Sequence, residues 1–138
     1  MFFTFLNTAL IRWFYKNHST RETYVFRAGF VAINISMETL RGIRYKLRMM
    51  GLQIYGPLYI YGDNVSVIHN TQRPESTLKK NSNSILYHDI CEYVAMGDYL
   101  TVYVGTNKNY TDLATEVLYG GKRRFHVPNL LYDIYDNL

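Results

Sequence analysis

The chain has 138 residues, 48% of them hydrophobic and 19% charged, which is the composition of one globular domain and not of a disordered segment. Its formal net charge of +4 suits an anionic partner without requiring one. Cys91 is the single cysteine, which excludes an intrachain disulfide and a cysteine-built zinc site and fits a reducing, intracellular setting, cytoplasmic or nuclear.

The first residues, "MFFTFLNTALIRWFY", are apolar but lack a basic leader region, and Arg12 and Lys16 interrupt them. No stretch reaches the roughly 18 apolar residues needed to span a bilayer, so no membrane partner is expected. Phe2 to Ala9 and Leu10 to Lys16 read instead as a hairpin turning at Asn7-Thr8. Ser19 or Thr20 followed by Glu22 opens a helix that runs to Gly51. Phe26, Phe30, Ile33, Met37, Leu40 and Leu47 make its apolar stripe. Arg41, Arg44 and Arg48 share another face, read as solvated.

"GPLYIYGD" is the next strand, and Val65 to Asn70 a short helical turn. After the polar loop "TQRPESTLKKNSN", Ser82 to Met96 reads as a helix with Ile85, Ile90, Val94 and Met96 on its apolar side, closed by Gly97. "YLTVYVGT" is a strand, whose tyrosines pack a core more often than they stack on bases. Asn107 or Asn109 caps a last helix, Tyr110 to Leu118. Gly120-Gly121, the basic turn Lys122-Arg123-Arg124 and a short tail finish the chain. The division expected is a domain over 1–119 and a basic turn and tail over 120–138. Strands alternating with helices in the order β-β-α-β-α-α-β-α place the chain in the α/β class.

Asp63 ends a strand and Asp112 opens a helix. Carboxylates at such positions can converge on a hard divalent cation, for which oxygen ligands suit Mg²⁺. Each also has an ordinary reading. Asp63 can be a turn residue or cap, and Asp112 an acid complementing a helix dipole. The histidines lack metal-ligand spacing, and Cys91 with His88 lacks an orienting third group.

The pieces "NTALIRWFYKNHSTRET", "LRGIRYKLRMMG", "YIYGDNVSVIHN", "TNKNYTDLATEVLYGGKRR" and "NLLYDIYDNL" resemble, in order and over essentially the whole chain, the ribonuclease H domain of copia-type retrotransposon Pol polyproteins. That resemblance implies a ribonuclease H-like mixed sheet flanked by helices. It implies an ancestral role in Mg²⁺-dependent cleavage of RNA in RNA–DNA hybrids, beside the reverse transcriptase of the same polyprotein. "GDN" and "DLAT" fall at the family's third and fourth acids, which makes Asp63 and Asp112 catalytic, metal-ligand positions. Asn64 is a further candidate for contact with nucleic acid, and Lys122, Arg123 and Arg124 could grip phosphates, although a basic cluster of this kind is more often a solvated turn.

Two further acids that the family requires are missing. The first strand and its acid are absent, since Met1 falls within what would be the second strand. The helix reads "RAGFVAI", with Gly29 where a Glu is expected. Glu22 and Glu38 are each roughly 10 Å or more away along the helix axis. The expectation is therefore an inactive remnant, with no tightly bound Mg²⁺ and with an RNA–DNA hybrid or nothing as its partner. The alternative is a non-catalytic nucleic-acid-binding module. Without its first strand, the chain should show either a gap in the sheet or antiparallel pairing of Phe2–Ala9 with Leu58–Gly62.

Overall fold

A computed structural model describes residues 1–15, 25–73, 84–115 and 120–130. Within these the chain is mixed α/β, and its order is close to the one expected. Two compact units divide it. One joins residues 1–19 to 105–138, and the other spans 20–104. The boundary expected at 119/120 falls inside the first of these.

In the unit spanning 20–104, helix α1 (Val25–Met49) supplies Phe30, Ile33 and Met37 to the core. Leu40 packs against that core from one turn further on. The side chain of Phe26 and the expected helix start at Ser19–Glu22 lie outside the described residues. Gly51, at φ 84°, takes the left-handed conformation that ends the helix and costs glycine little. Strands β3 (Leu58–Gly62) and β4 (Tyr99–Tyr103) pair in parallel, with Ile60 opposite Thr101. Their alternation buries Ile60, Tyr99 and Thr101 on one face and leaves Tyr59, Tyr61 and Leu100 on the other. Helices α2 (Val65–Gln72) and α3 (Ser84–Ala95) complete the core with Val67, Ile68, Tyr87, Ile90 and Cys91.

The buried face of α3 keeps Ile90 and Val94 of the expected set but not the other two. Ile85 and Met96 are exposed, whereas Tyr87, Ile90, Cys91 and Val94 face inward at three- and four-residue steps. Tyr87 explains the rotation. Its ring meets Phe30 edge-on at 5.9 Å, and its hydroxyl donates to the Arg73 carbonyl at 2.7 Å. An amphipathic ring with one satisfied polar end takes the inside position, so the apolar face is offset from the isoleucine spacing.

In the other unit, β1 (Phe2–Leu6) and β2 (Ala9–Phe14) form an antiparallel hairpin. Asn7 turns it at φ 56°, a conformation asparagine tolerates. The unit continues through a 3-10 turn (Thr106–Lys108), a short helix α4 (Asp112–Thr115) and α5 (Gly120–Leu130). The expected last helix, Tyr110 to Leu118, is described only as α4, and residues 116–119 and 131–138 lie outside the described residues. The residues of the basic turn expected at Lys122–Arg124 are instead helical, within α5, which continues through Pro128.

The expected single mixed sheet is not formed by the described strands. They make two separate pairs, one antiparallel and one parallel. Of the two outcomes expected without a first strand, a gap or antiparallel pairing of Phe2–Ala9 with Leu58–Gly62, the pairing is not among the ladders of the described strands, where β1 pairs with β2 and β3 with β4.

Candidate functional site

The β3–β4 ladder closes where the Val104 amide donates to the Gly62 carbonyl at 2.8 Å. The chain then leaves the sheet at Asp63, whose side chain is exposed. Asp63 is not the cap of the following helix. That role belongs to Asn64, in extended backbone geometry, whose Oδ1 accepts the Val67 amide at 3.2 Å. Asn64, expected to face nucleic acid, therefore spends its side-chain oxygen on α2. At the other end of α2, the Thr71 hydroxyl donates to the Ile68 carbonyl at 2.7 Å. A hydroxyl has one proton, so Thr101 is the donor in the 2.8 Å contact between the two threonine hydroxyls. Gln72 Nε2 donates to the Thr101 carbonyl at 2.7 Å. These bonds fix α2, and with it the chain after Asp63, against β4.

Gly29 lies where α1 meets α2. A Cβ built on it would sit 2.8 Å from Val67 Cγ2, and Val67 is 2% exposed. Glycine in the middle of a helix costs about 1 kcal/mol relative to Ala. Here the cost has a counterpart, because the missing side chain allows α2 to approach. From the sequence alone that glycine looks like loss without benefit. No sequence signal pairs residue 29 with residue 67.

Asp112 has the opposite environment to Asp63. It is 5% exposed, and Lys122 Nζ lies 2.7 Å from its Oδ2. Asn109 shapes the approach to α4, its Oδ1 accepting the Thr111 amide at 3.2 Å and the Thr111 hydroxyl at 2.8 Å. Beside this pair, the Tyr110 ring meets buried His126 edge-on at 5.3 Å. Lys122, a candidate phosphate contact or solvated residue by sequence, is here a counter-charge to Asp112. Only Arg123 and Arg124 of that cluster stand exposed.

The described donors do not fit a divalent cation. Among the described residues no three His, Cys, Asp or Glu side chains are grouped to hold a metal ion. An ammonium already satisfies the Asp112 carboxylate, and a metal would have to displace it. Asp63 belongs to the unit spanning 20–104 and Asp112 to the unit that joins 1–19 to 105–138.

The remaining sequence candidates have structural roles. His69 and His88 are exposed, and His18 lies outside the described residues. The Cys91 thiol is buried and donates weakly to the Asn70 carbonyl at 3.6 Å. Burial pushes its pKa up, which keeps the thiol protonated and unreactive. The arginine row on α1 is only partly solvated. Arg41 lies over the Tyr93 ring at 4.2 Å, and Arg44 Nη2 donates to the Gly56 carbonyl at 2.7 Å. Tyr99 is a core residue, its hydroxyl donating to the Met37 carbonyl at 2.8 Å, whereas Tyr103 is half-exposed. Comparison with protein-family models, curated proteins and solved structures finds no match.

Proposed function

We propose that this chain is a remnant of the ribonuclease H domain of a copia-type retrotransposon Pol polyprotein, and that it does not cleave nucleic acid. Five sequence pieces in order support the ancestry. The parallel β3–β4 pair with α1 and α3 packed on it is compatible with part of a ribonuclease H-like sheet. The observation that carries the loss of activity is Gly29. The helix position where the family places a metal-binding glutamate is closed by Val67, so a longer side chain has no room without displacing a core residue. The lysine on Asp112 supports the same reading, because it supplies internally the positive charge that Mg²⁺ supplies in an active domain.

The test is a Mg²⁺-dependent cleavage assay on a labelled RNA–DNA hybrid. No cleavage is expected from the unmodified chain. Metal-dependent cleavage abolished by Asp63→Asn or Asp112→Asn would overturn the proposal.

A second reading, non-catalytic binding of nucleic acid, is favoured by the exposed Arg123 and Arg124 on α5. With Lys122 engaged, few cations remain to release counterions, so such binding would be weak and only shallowly dependent on salt. Loss of hybrid binding in Arg123→Glu with Arg124→Glu would support it, and unchanged binding would dismiss it.

A further inference from the structure

The end of α1 and the segment after it carry a run of large apolar side chains in solvent. Tyr45, Met49, Met50, Leu52 and Tyr55 are all more than half exposed, Met49 at 72%, Met50 at 74% and Tyr55 at 84%. Tyr45, Met49, Leu52 and Tyr55 belong to one surface around Arg48, and Met50 directly follows Met49 at the end of the helix. Tyr45, Arg48 and Met49 share a helix face, and Arg48, Leu52 and Tyr55 line one shallow hollow of about 420 Å³. Lys46 and Arg48 could be explained as complements to the helix dipole. That does not account for the apolar side chains.

The projection is held in place. Arg44 donates to the Gly56 carbonyl at 2.7 Å and the Ile54 carbonyl at 3.4 Å, and the Leu52 amide donates to the Leu47 carbonyl at 2.9 Å. Its charge has one sign. Residues 39–62 contain Arg41, Arg44, Lys46 and Arg48 and no Asp or Glu. Asp98 comes near this stretch at Arg44, 4.0 Å away.

We infer that this projection is a docking surface for an anionic phospholipid bilayer, with Met49, Met50, Leu52 and Tyr55 entering the interface and Lys46 and Arg48 on the headgroups. An apolar tip rimmed by exposed cations matches the headgroup–acyl boundary of such a membrane, and interfacial docking needs no spanning helix. Nucleic acid fits less well. Tyr45 and Tyr55 offer rings for bases, but Arg44 is engaged with the backbone and Arg41 with Tyr93, and the methionines and Leu52 between them offer a base no ring and favour an apolar phase. A second copy fits less well too, since self-association would bring Lys46 and Arg48 against their equivalents.

Flotation of the full chain with phosphatidylcholine vesicles, with and without phosphatidylserine, tests this. The chain should float with the anionic vesicles and stay behind with the neutral ones. Lys46→Glu with Arg48→Glu should weaken binding at least tenfold, since each cation near such a surface contributes about 1 kcal/mol. Met49→Ser, Met50→Ser and Leu52→Ser together should abolish it, while Arg123→Glu with Arg124→Glu should not change it. Raised salt should weaken binding of the unmodified chain. Four outcomes would overturn the proposal: no flotation with anionic vesicles, equal flotation with neutral ones, an equal loss from the α5 variant, or displacement of vesicles by a single-stranded oligonucleotide.

Discussion

Asp63 and Asp112 are the same residue type at similar joints, one just before a helix and one just inside it, yet their surroundings differ in kind. Asp63 is in water, and the neighbouring Asn64 does the capping. Asp112 is buried and held by a lysine ten positions along the chain. A carboxylate in solvent keeps its hydration and costs the fold little. A buried one must be paired, and the pairing then limits what else it can bind. Sequence position alone does not decide whether an acid is available for chemistry.

The comparison is tested most severely at Lys122. Lys122→Met should cost about 3 kcal/mol, because it leaves Asp112 buried without its counter-charge. Adding Asp112→Asn should return much of that loss, and urea unfolding of the single and double variants measures both. A neutral Lys122→Met would show that the pair is not buried in any energetic sense. Next in size, Gly29→Glu should cost about 2 kcal/mol through overpacking against Val67. Adding Val67→Ala should give less than the sum of the two single losses, because the second change makes room for the first. On the Asp63 side the effects are smaller. Asn64→Ala should cost about 1 kcal/mol as a lost cap. Asp63→Asn should stay within about 0.5 kcal/mol, as a surface change does. A larger loss at Asp63 than at Asn64 would reverse the assignment of the cap.

The smallest effect is a pH dependence. Burial raises the pKa of Tyr99 above 10.0, and Arg41 opposes the shift only in part. A phenol with a raised folded pKa binds its proton more tightly in the native state, so its contribution is full below the unfolded pKa. Stability should therefore fall as pH rises above about 10, the ordinary tyrosine pKa. Tyr99→Phe should flatten that part of the profile, measured by chemical unfolding at stepped pH.

Much of the fold was legible because it is written locally. The α1 stripe, the Asn7 turn, the Gly51 and Gly97 stops and both β3 and β4 follow from short-range periodicity and turn chemistry. The candidate site was legible only as positions. Gly29 meets Val67 and Lys122 meets Asp112 through tertiary packing, and no pattern within one element encodes a partner in another. The offset of α3 is illegible for the same reason. Tyr87 counts as polar or apolar according to whether its hydroxyl finds an acceptor, and here the acceptor is the carbonyl of Arg73. Lys122 to Arg124 follow two glycines in sequence, a turn signal, yet lie within helix α5.

The parallel arrangement of β3 and β4 also sets an order of events. Two parallel neighbours cannot be joined by a tight turn, so the whole stretch from Asp63 to Asp98 must be gathered before the first ladder bond forms. The contact of Gly29 on α1 with Val67 on α2 closes a shorter loop than the bond from Tyr99 to Met37, which spans 62 positions. Loop closure has to precede the gain from such distant contacts, so the docking of Tyr99 on α1 is a late event on the way to the native state. Truncating Tyr99 should accordingly speed unfolding and leave the folding rate nearly unchanged, which stopped-flow kinetics in denaturant can measure. Chain synthesised only as far as α2 carries β3 without its partner strand, because β4 begins at Tyr99.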